Sequence, residues 1–146
     1  MQLGRIQATV PDVTGLSAAT WAMPCFPVSG MFCVPAASSA VWIEFEKGDP
    51  DYPIWTGCFY GSAAEIPALA RAAPAGFPSM TIETPGGHGM NISDAPGPTG
   101  GIMIKASTGA TLIVNDSGIH IDNGHGARIT LTGTEVDINN GAFKVV

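Results

Sequence analysis

From Ile102 to Val145 apolar residues recur as pairs separated by one residue: Ile102/Ile104, Leu112/Val114, Ile119/Ile121, Ile129/Leu131, Val136/Ile138 and Phe143/Val145. The first members of the pairs lie 7 to 10 residues apart, with Gly, Asn or Asp in most of the intervals. Period two over such short runs is strand spacing, so the segment is expected to be a stack of similar β rungs. The residue inside each pair faces the other way. His120 must therefore point away from the face that Ile119 and Ile121 share. The stack begins irregularly, with Thr81-Ile82-Glu83-Thr84 and Met90/Ile92, and a loop from Asp94 to Gly101 carries Pro96 and Pro98.

Six rungs make only two coils of a three-sided solenoid, fewer than such arrays need to stand alone. Burying twelve side chains also falls short of the entropy cost of ordering residues 102–146. The expected remedy is more copies of the same chain. Three chains wound round one axis give an intertwined triple-stranded β-helix, in which each strand's backbone groups pair with neighbouring chains rather than facing water. Its dry trimer core would be Ile102, Ile104, Leu112, Val114, Ile119, Ile121, Ile129, Leu131, Val136 and Ile138. At one strand spacing per rung, six rungs span roughly 30 Å.

The first 65 residues have a different grain. Five strands are expected, at Leu3–Val10, Thr20–Phe26, Met31–Val34, Ala40–Glu46 and Ile54–Tyr60, with a long first link from Pro11 to Ala19. The sharpest turn is Gly48-Asp49-Pro50-Asp51-Tyr52-Pro53, which ends one apolar run just before the next begins at Ile54. Five strands in so short a length suit a small barrel of the oligonucleotide/oligosaccharide-binding (OB) type. Residues 66–79, rich in Ala and Pro, read as a semi-extended connector whose Ala-Leu-Ala-Arg-Ala-Ala stretch has room for one helical turn. The organisation expected is a barrel over 1–65, a connector over 66–79 and a β-helix over 80–146, all-β throughout.

Composition sharpens this division. Trp21, Trp42 and Trp55 all fall in the first part, which is expected to build the conventional core, whereas no Pro or Trp occurs after Thr99. The net charge of −6 is spread so that no part is basic: Arg5 and Lys47 face six carboxylates in residues 1–65. Nucleic-acid binding is disfavoured, because even a single-strand-binding barrel pairs its aromatics with a basic groove. The opening MQLGRIQATV has neither a charged nor an apolar leader region, and no stretch approaches 18 apolar residues. The expectation is synthesis and assembly in a cytoplasm. Cys25, Cys33 and Cys58 lack metal or redox spacing and are expected as buried free thiols.

Candidate chemistry is thin. His88 and His125 lie in Gly-rich turns, and His120 reaches a threefold axis only if the strand register shifts by one, so no metal site is expected. Glu44 and Glu46 share the solvent side of a strand, and Asp49 and Asp51 serve a turn. Gly86-Gly87-His88-Gly89 lacks the Lys and helix of a phosphate-binding loop. No catalytic residue, cofactor or metal is expected. A secreted β-solenoid that binds or degrades polysaccharide is the competing class, opposed by the missing leader, the few coils and the absence of an aromatic platform in the rod.

Leu3-Gly4-Arg5-Ile6, Trp21-Ala22-Met23-Pro24-Cys25, Pro35 and the run from Val41 to Gly57 through Gly48-Asp49-Pro50-Asp51-Tyr52-Pro53 resemble the barrel of contractile-injection spike proteins. That family includes phage baseplate assembly V proteins, valine-glycine repeat spikes of type VI secretion and spikes of extracellular phage-tail-like particles. The resemblance implies a homotrimer at the end of a tail tube, docked on a hub protein and aimed at the target cell envelope. Two of the family's variations are missing: a lysozyme domain between barrel and helix, for which 66–79 leaves no room, and a His-x-His iron tip. Phe143 and Val145, repeated threefold, are instead expected to offer an apolar platform to a separate capping tip protein.

Overall fold

The computed structural model describes residues 3–17 and 20–146, and the chain divides into two units, Met1–Glu65 and Ile66–Val146. In the first unit a four-residue helix α1 (Pro11–Thr14) precedes strands β1 (Met23–Pro24), β2 (Val41–Phe45) and β3 (Pro53–Cys58). They form one sheet in the order β1-β3-β2, with β1 parallel and β2 antiparallel to β3. A bulge between Trp42 and Ile43 shifts the β2–β3 register. The small core gathers round Trp55, which is 4 % exposed, donates from Nε1 to the Gly4 carbonyl at 2.8 Å and meets Phe26 edge-on at 5.7 Å. The turn after β2 closes as its sequence demands: Asp49 Oδ1 accepts from the Asp51 amide at 3.0 Å, and the Glu46 amide donates to the Tyr52 carbonyl at 3.0 Å.

Several expectations for this unit fail. The strand expected over Leu3–Val10 shrinks to a bridge at Ile6, which exchanges backbone hydrogen bonds of 3.2 and 2.8 Å with Ala22. Gly4, at φ +75°, breaks its extended course. Thr20–Phe26 keeps only β1, and Met31–Val34 forms no strand, because no ladder partner lies beside it among the described residues. The link from Pro11 starts with α1, and its last two residues, Ala18 and Ala19, lie outside the described residues. Trp21 and Trp42 are surface residues, 59 % and 61 % exposed, so only Trp55 of the three builds core. Cys25, Cys33 and Cys58 are free as expected, yet all are exposed rather than buried.

The second unit opens with helix α2 (Ala68–Ala72), the single turn its Ala-rich stretch allowed. It is fixed to the sheet that follows: the Leu69 amide donates to Glu83 Oε2 at 2.8 Å and the Leu69 side chain is buried. The sheet contains β4 (Ser79–Glu83), β5 (Gly89–Ser93), β6 (Gly101–Lys105), β7 (Thr111–Asn115), β8 (Gly118–Asp122), β9 (Arg128–Thr132), β10 (Glu135–Ile138) and β11 (Phe143–Val145). All eight pair antiparallel in sequence order.

This is a meander, which corrects the expected rungs in two ways. There are eight members rather than six, since the irregular start supplies β4 and β5 in full register with the rest. Each strand also pairs with its own sequence neighbours rather than with strands of other chains. The links explain the reversal: Asp116-Ser117 and Gly133-Thr134 are two-residue connections, too short for anything but an antiparallel hairpin. Seven strand spacings give the stack a length of about 34 Å, and five residues make each strand about 17 Å long.

Candidate functional site

Register carries the apolar pairs onto one face of the sheet as two straight columns. The first runs Met80, Ile92, Ile102, Val114, Ile119, Leu131, Val136, Val145, and the second runs Ile82, Met90, Ile104, Leu112, Ile121, Ile129, Ile138, Phe143. Every residue expected in the trimer core, together with Phe143 and Val145, therefore lies on a single face. From the sequence, Ile82 and Met90/Ile92 read as an irregular start of the stack, and the pairing of Met80 with Ile82 was missed. Both pairs show the same one-residue spacing, which was the available signal.

Twelve of these side chains are between 36 % and 60 % exposed. A face so uniformly apolar and so open is an interaction surface, since isolated exposed aliphatics are ordinary but a contiguous field of them is not. On the opposite face the central row reads Thr81, Asn91, Met103, Ile113, His120, Thr130, Asp137, Lys144. Polar contacts dominate there. Asn91 Nδ2 donates to Thr81 Oγ1 at 2.7 Å, Lys144 Nζ lies 2.7 Å from Glu135 Oε2, and Arg128 pairs with Asp122 at 3.2 Å. The hydrogen bond to Glu135 pushes the Lys144 ammonium above its ordinary range, against desolvation and with the negative charges of Glu135 and Asp137 adding to it.

The hairpin links also differ between the two sides. Beside the second column sit the links 84–88, 106–110, 123–127 and 139–142, while two of the three links beside the first column have two residues each. Two of the larger loops close on themselves, the Ala106 amide donating to the Ala110 carbonyl at 2.9 Å and the Asn123 amide to the Ala127 carbonyl at 3.0 Å. Ala106, Ala110 and Ala127 widen the apolar surface at this margin and help to enclose a shallow hollow of about 610 Å³.

The histidines stay apart. His88 Nε2 lies 3.2 Å from Ser107 Oγ, His120 Nε2 lies 2.9 Å from Ser117 Oγ on the polar face, and His125 occupies the 123–127 loop. Among the described residues no three His, Cys, Asp or Glu side chains gather in one place. Glu44 and Glu46 are exposed, and Gly86-Gly87-His88-Gly89 is the β4–β5 turn, closed by hydrogen bonds of 2.8 Å between Thr84 and His88 and between Gly87 and Thr84. Among the described residues, what the geometry assembles is an apolar surface.

Residues 1–60 match the type VI secretion system/phage-baseplate injector OB domain, and residues 79–144 match the phage baseplate V C-terminal trimerisation domain. The chain belongs to the phage-baseplate V and type VI spike family. A 62-residue stretch is 32 % identical to the type VI secretion system spike protein VgrG4b of Pseudomonas aeruginosa, covering 42 % of this chain. The chain spans only 8 % of that relative's length. Membership makes this protein a spike component of a contractile injection system, within a baseplate or related injection particle. In this family context the apolar face, all but Val145, falls inside the segment matched as a trimerisation domain.

Proposed function

We propose that three copies bring their apolar faces together round one axis to make the central needle of a contractile tail or tail-like particle. The observation that carries this reading is the pair of apolar columns, open to solvent in a single chain and continuous over eight strands. Three such walls form a triple-stranded β-structure with a dry interior. The strands run across the axis, so their backbone hydrogen bonds lie along it. Axial force is then resisted by eight stacked strands in each wall and by interlocked side chains between walls.

The needle's task is mechanical. The first unit docks on a hub protein at the tube end, the second unit is driven into the target cell envelope, and no bond in a substrate is made or broken. Assembly takes place in the bacterial cytoplasm before the particle acts. Phe143 and Val145 are the last apolar pair of the two columns, on the end strand of the sheet, so in the trimer their three copies close the end of the apolar core and offer it to a separate tip protein, which is expected to co-purify with the trimer.

Light scattering tests the core of this reading. The wild-type protein is expected at three times the chain mass of 15.0 kDa. Ile121→Asp should reduce it to the monomer, since three carboxylates in a dry axis have no partners. His120→Asp, one residue away on the polar face, should leave the trimer intact. A wild-type monomer, or equal tolerance of both substitutions, refutes the proposal.

A further inference from the structure

The first unit's sheet has an outer side that is only partly polar. Register sets Met23, Ile54 and Glu44 in one row across β1, β3 and β2, and Trp42 is the next residue of β2 to point the same way. Trp42 is 61 % exposed, Met23 46 % and Phe59 41 %. The bulge puts Gly57 opposite Trp42, and nothing lies within 4 Å of where a Gly57 Cβ would stand, so the indole has open space beside it. It leans on Phe59, with ring centroids 4.9 Å apart. Bulges re-aim side chains where function needs them, and this one accompanies an indole aimed at solvent. Charge is uneven around these apolar groups. Arg5 flanks the row, its Nε donating to Met23 Sδ at 2.9 Å. Glu44 stands in the row, and Glu46, Asp49 and Asp51 follow where β2 turns into β3, all four carboxylates exposed with only Lys47 between them.

We infer that this face is the first unit's docking surface for the hub protein, and that the hub surface it fits is basic, with an apolar socket for Trp42. The inference rests on the hub docking proposed above and adds where it occurs and which chemistry answers it. A Trp within a small apolar field whose charge is kept to the border has the anatomy of an interface anchor. The surplus of carboxylates at that border steers a cationic partner in and turns a like-charged one away. A second copy of the first unit is therefore the poorer occupant, since residues 1–65 carry two cations against six carboxylates.

Binding of the full-length spike to the purified hub protein of the same particle, followed by biolayer interferometry at low and high salt, tests this assignment. Trp42→Ala is expected to weaken binding roughly 30-fold, the loss typical of an interface anchor. Glu44→Lys should slow association and flatten its salt dependence. Leu16→Ala, which removes a side chain 94 % exposed but outside the sheet, should bind as the wild type does. Light scattering should give all three variants the trimeric mass. Undiminished binding by Trp42→Ala overturns the docking face, and unchanged association by Glu44→Lys overturns the basic partner, both leaving hub docking itself in place. Loss of the trimeric mass in Trp42→Ala, with an unchanged thermal midpoint, would assign the face to contacts between copies and overturn the inference. If Trp42→Ala melts early, Glu44→Lys decides alone. A wild-type spike that does not bind the hub overturns the docking as well as its location.

Discussion

Two glycines show how closely the meander is stacked. Gly118, at φ +135°, opens β8, and a Cβ placed there would run into the Leu131 carbonyl oxygen. Gly101, at φ +83°, opens β6 with the same conflict against the Val114 carbonyl. Both positions combine a backbone that side chains avoid with the close approach of a neighbouring strand. Gly118→Ala is therefore expected to cost about 1 kcal/mol or more, seen as a lower urea midpoint. Gly30 has an ordinary backbone and nothing within 4 Å, so Gly30→Ala should leave the midpoint close to wild type. Equal midpoints for the two variants would remove the steric argument. Regular Gly placement was legible as punctuation, but its packing role was not, because the neighbouring carbonyl comes from a residue 13 or more positions away. The same limit explains the tryptophans and cysteines: identity alone does not reveal that Trp42 lies against Phe59 at 4.9 Å on the surface while Trp55 is enclosed.

Among the elements, face was easier to read than topology. Alternation assigns Ile119 and Ile121 to one side and His120 to the other whatever the strand pairs with, and the structure keeps that assignment. Coil and meander give identical one-residue spacings, so the pairing had to come from the links. In the first unit the signal was weaker still, since Gly and Pro interrupt the apolar runs and, among the described residues, only β2 and β3 form an extended ladder. The final hairpin, β10–β11, carries its own electrostatic test. Because the folded state raises the Lys144 pKa above the ordinary 10.5, its contribution is fully present below about pH 10.5 and disappears as pH climbs through the raised value. The thermal midpoints of wild type and Lys144→Gln should therefore differ by a constant, small amount from neutral pH to about pH 10, then converge. A gap that closes on the acid side of neutrality instead would assign the effect to another group.

At the scale of the molecule, the location of α2 decides where the protein can be cut. Sequence composition placed a connector over 66–79, but Leu69 is buried and hydrogen-bonded to Glu83, so this segment travels with the sheet. The natural division is after Glu65. Residues 1–65 carry the Trp55 core and none of the two apolar columns, whereas 66–146 carry both columns whole. If association resides in the columns, 1–65 should run as a monomer by light scattering and 66–146 should keep the trimeric mass. The second fragment should also melt at a temperature that rises with protein concentration, because burying each face requires the other two copies. A trimeric 1–65 fragment would move the association to the first unit. A 66–146 fragment that melts independently of concentration as a monomer would mean that sixteen aligned apolar side chains tolerate water on one face, and the physical basis for a three-walled needle would be gone.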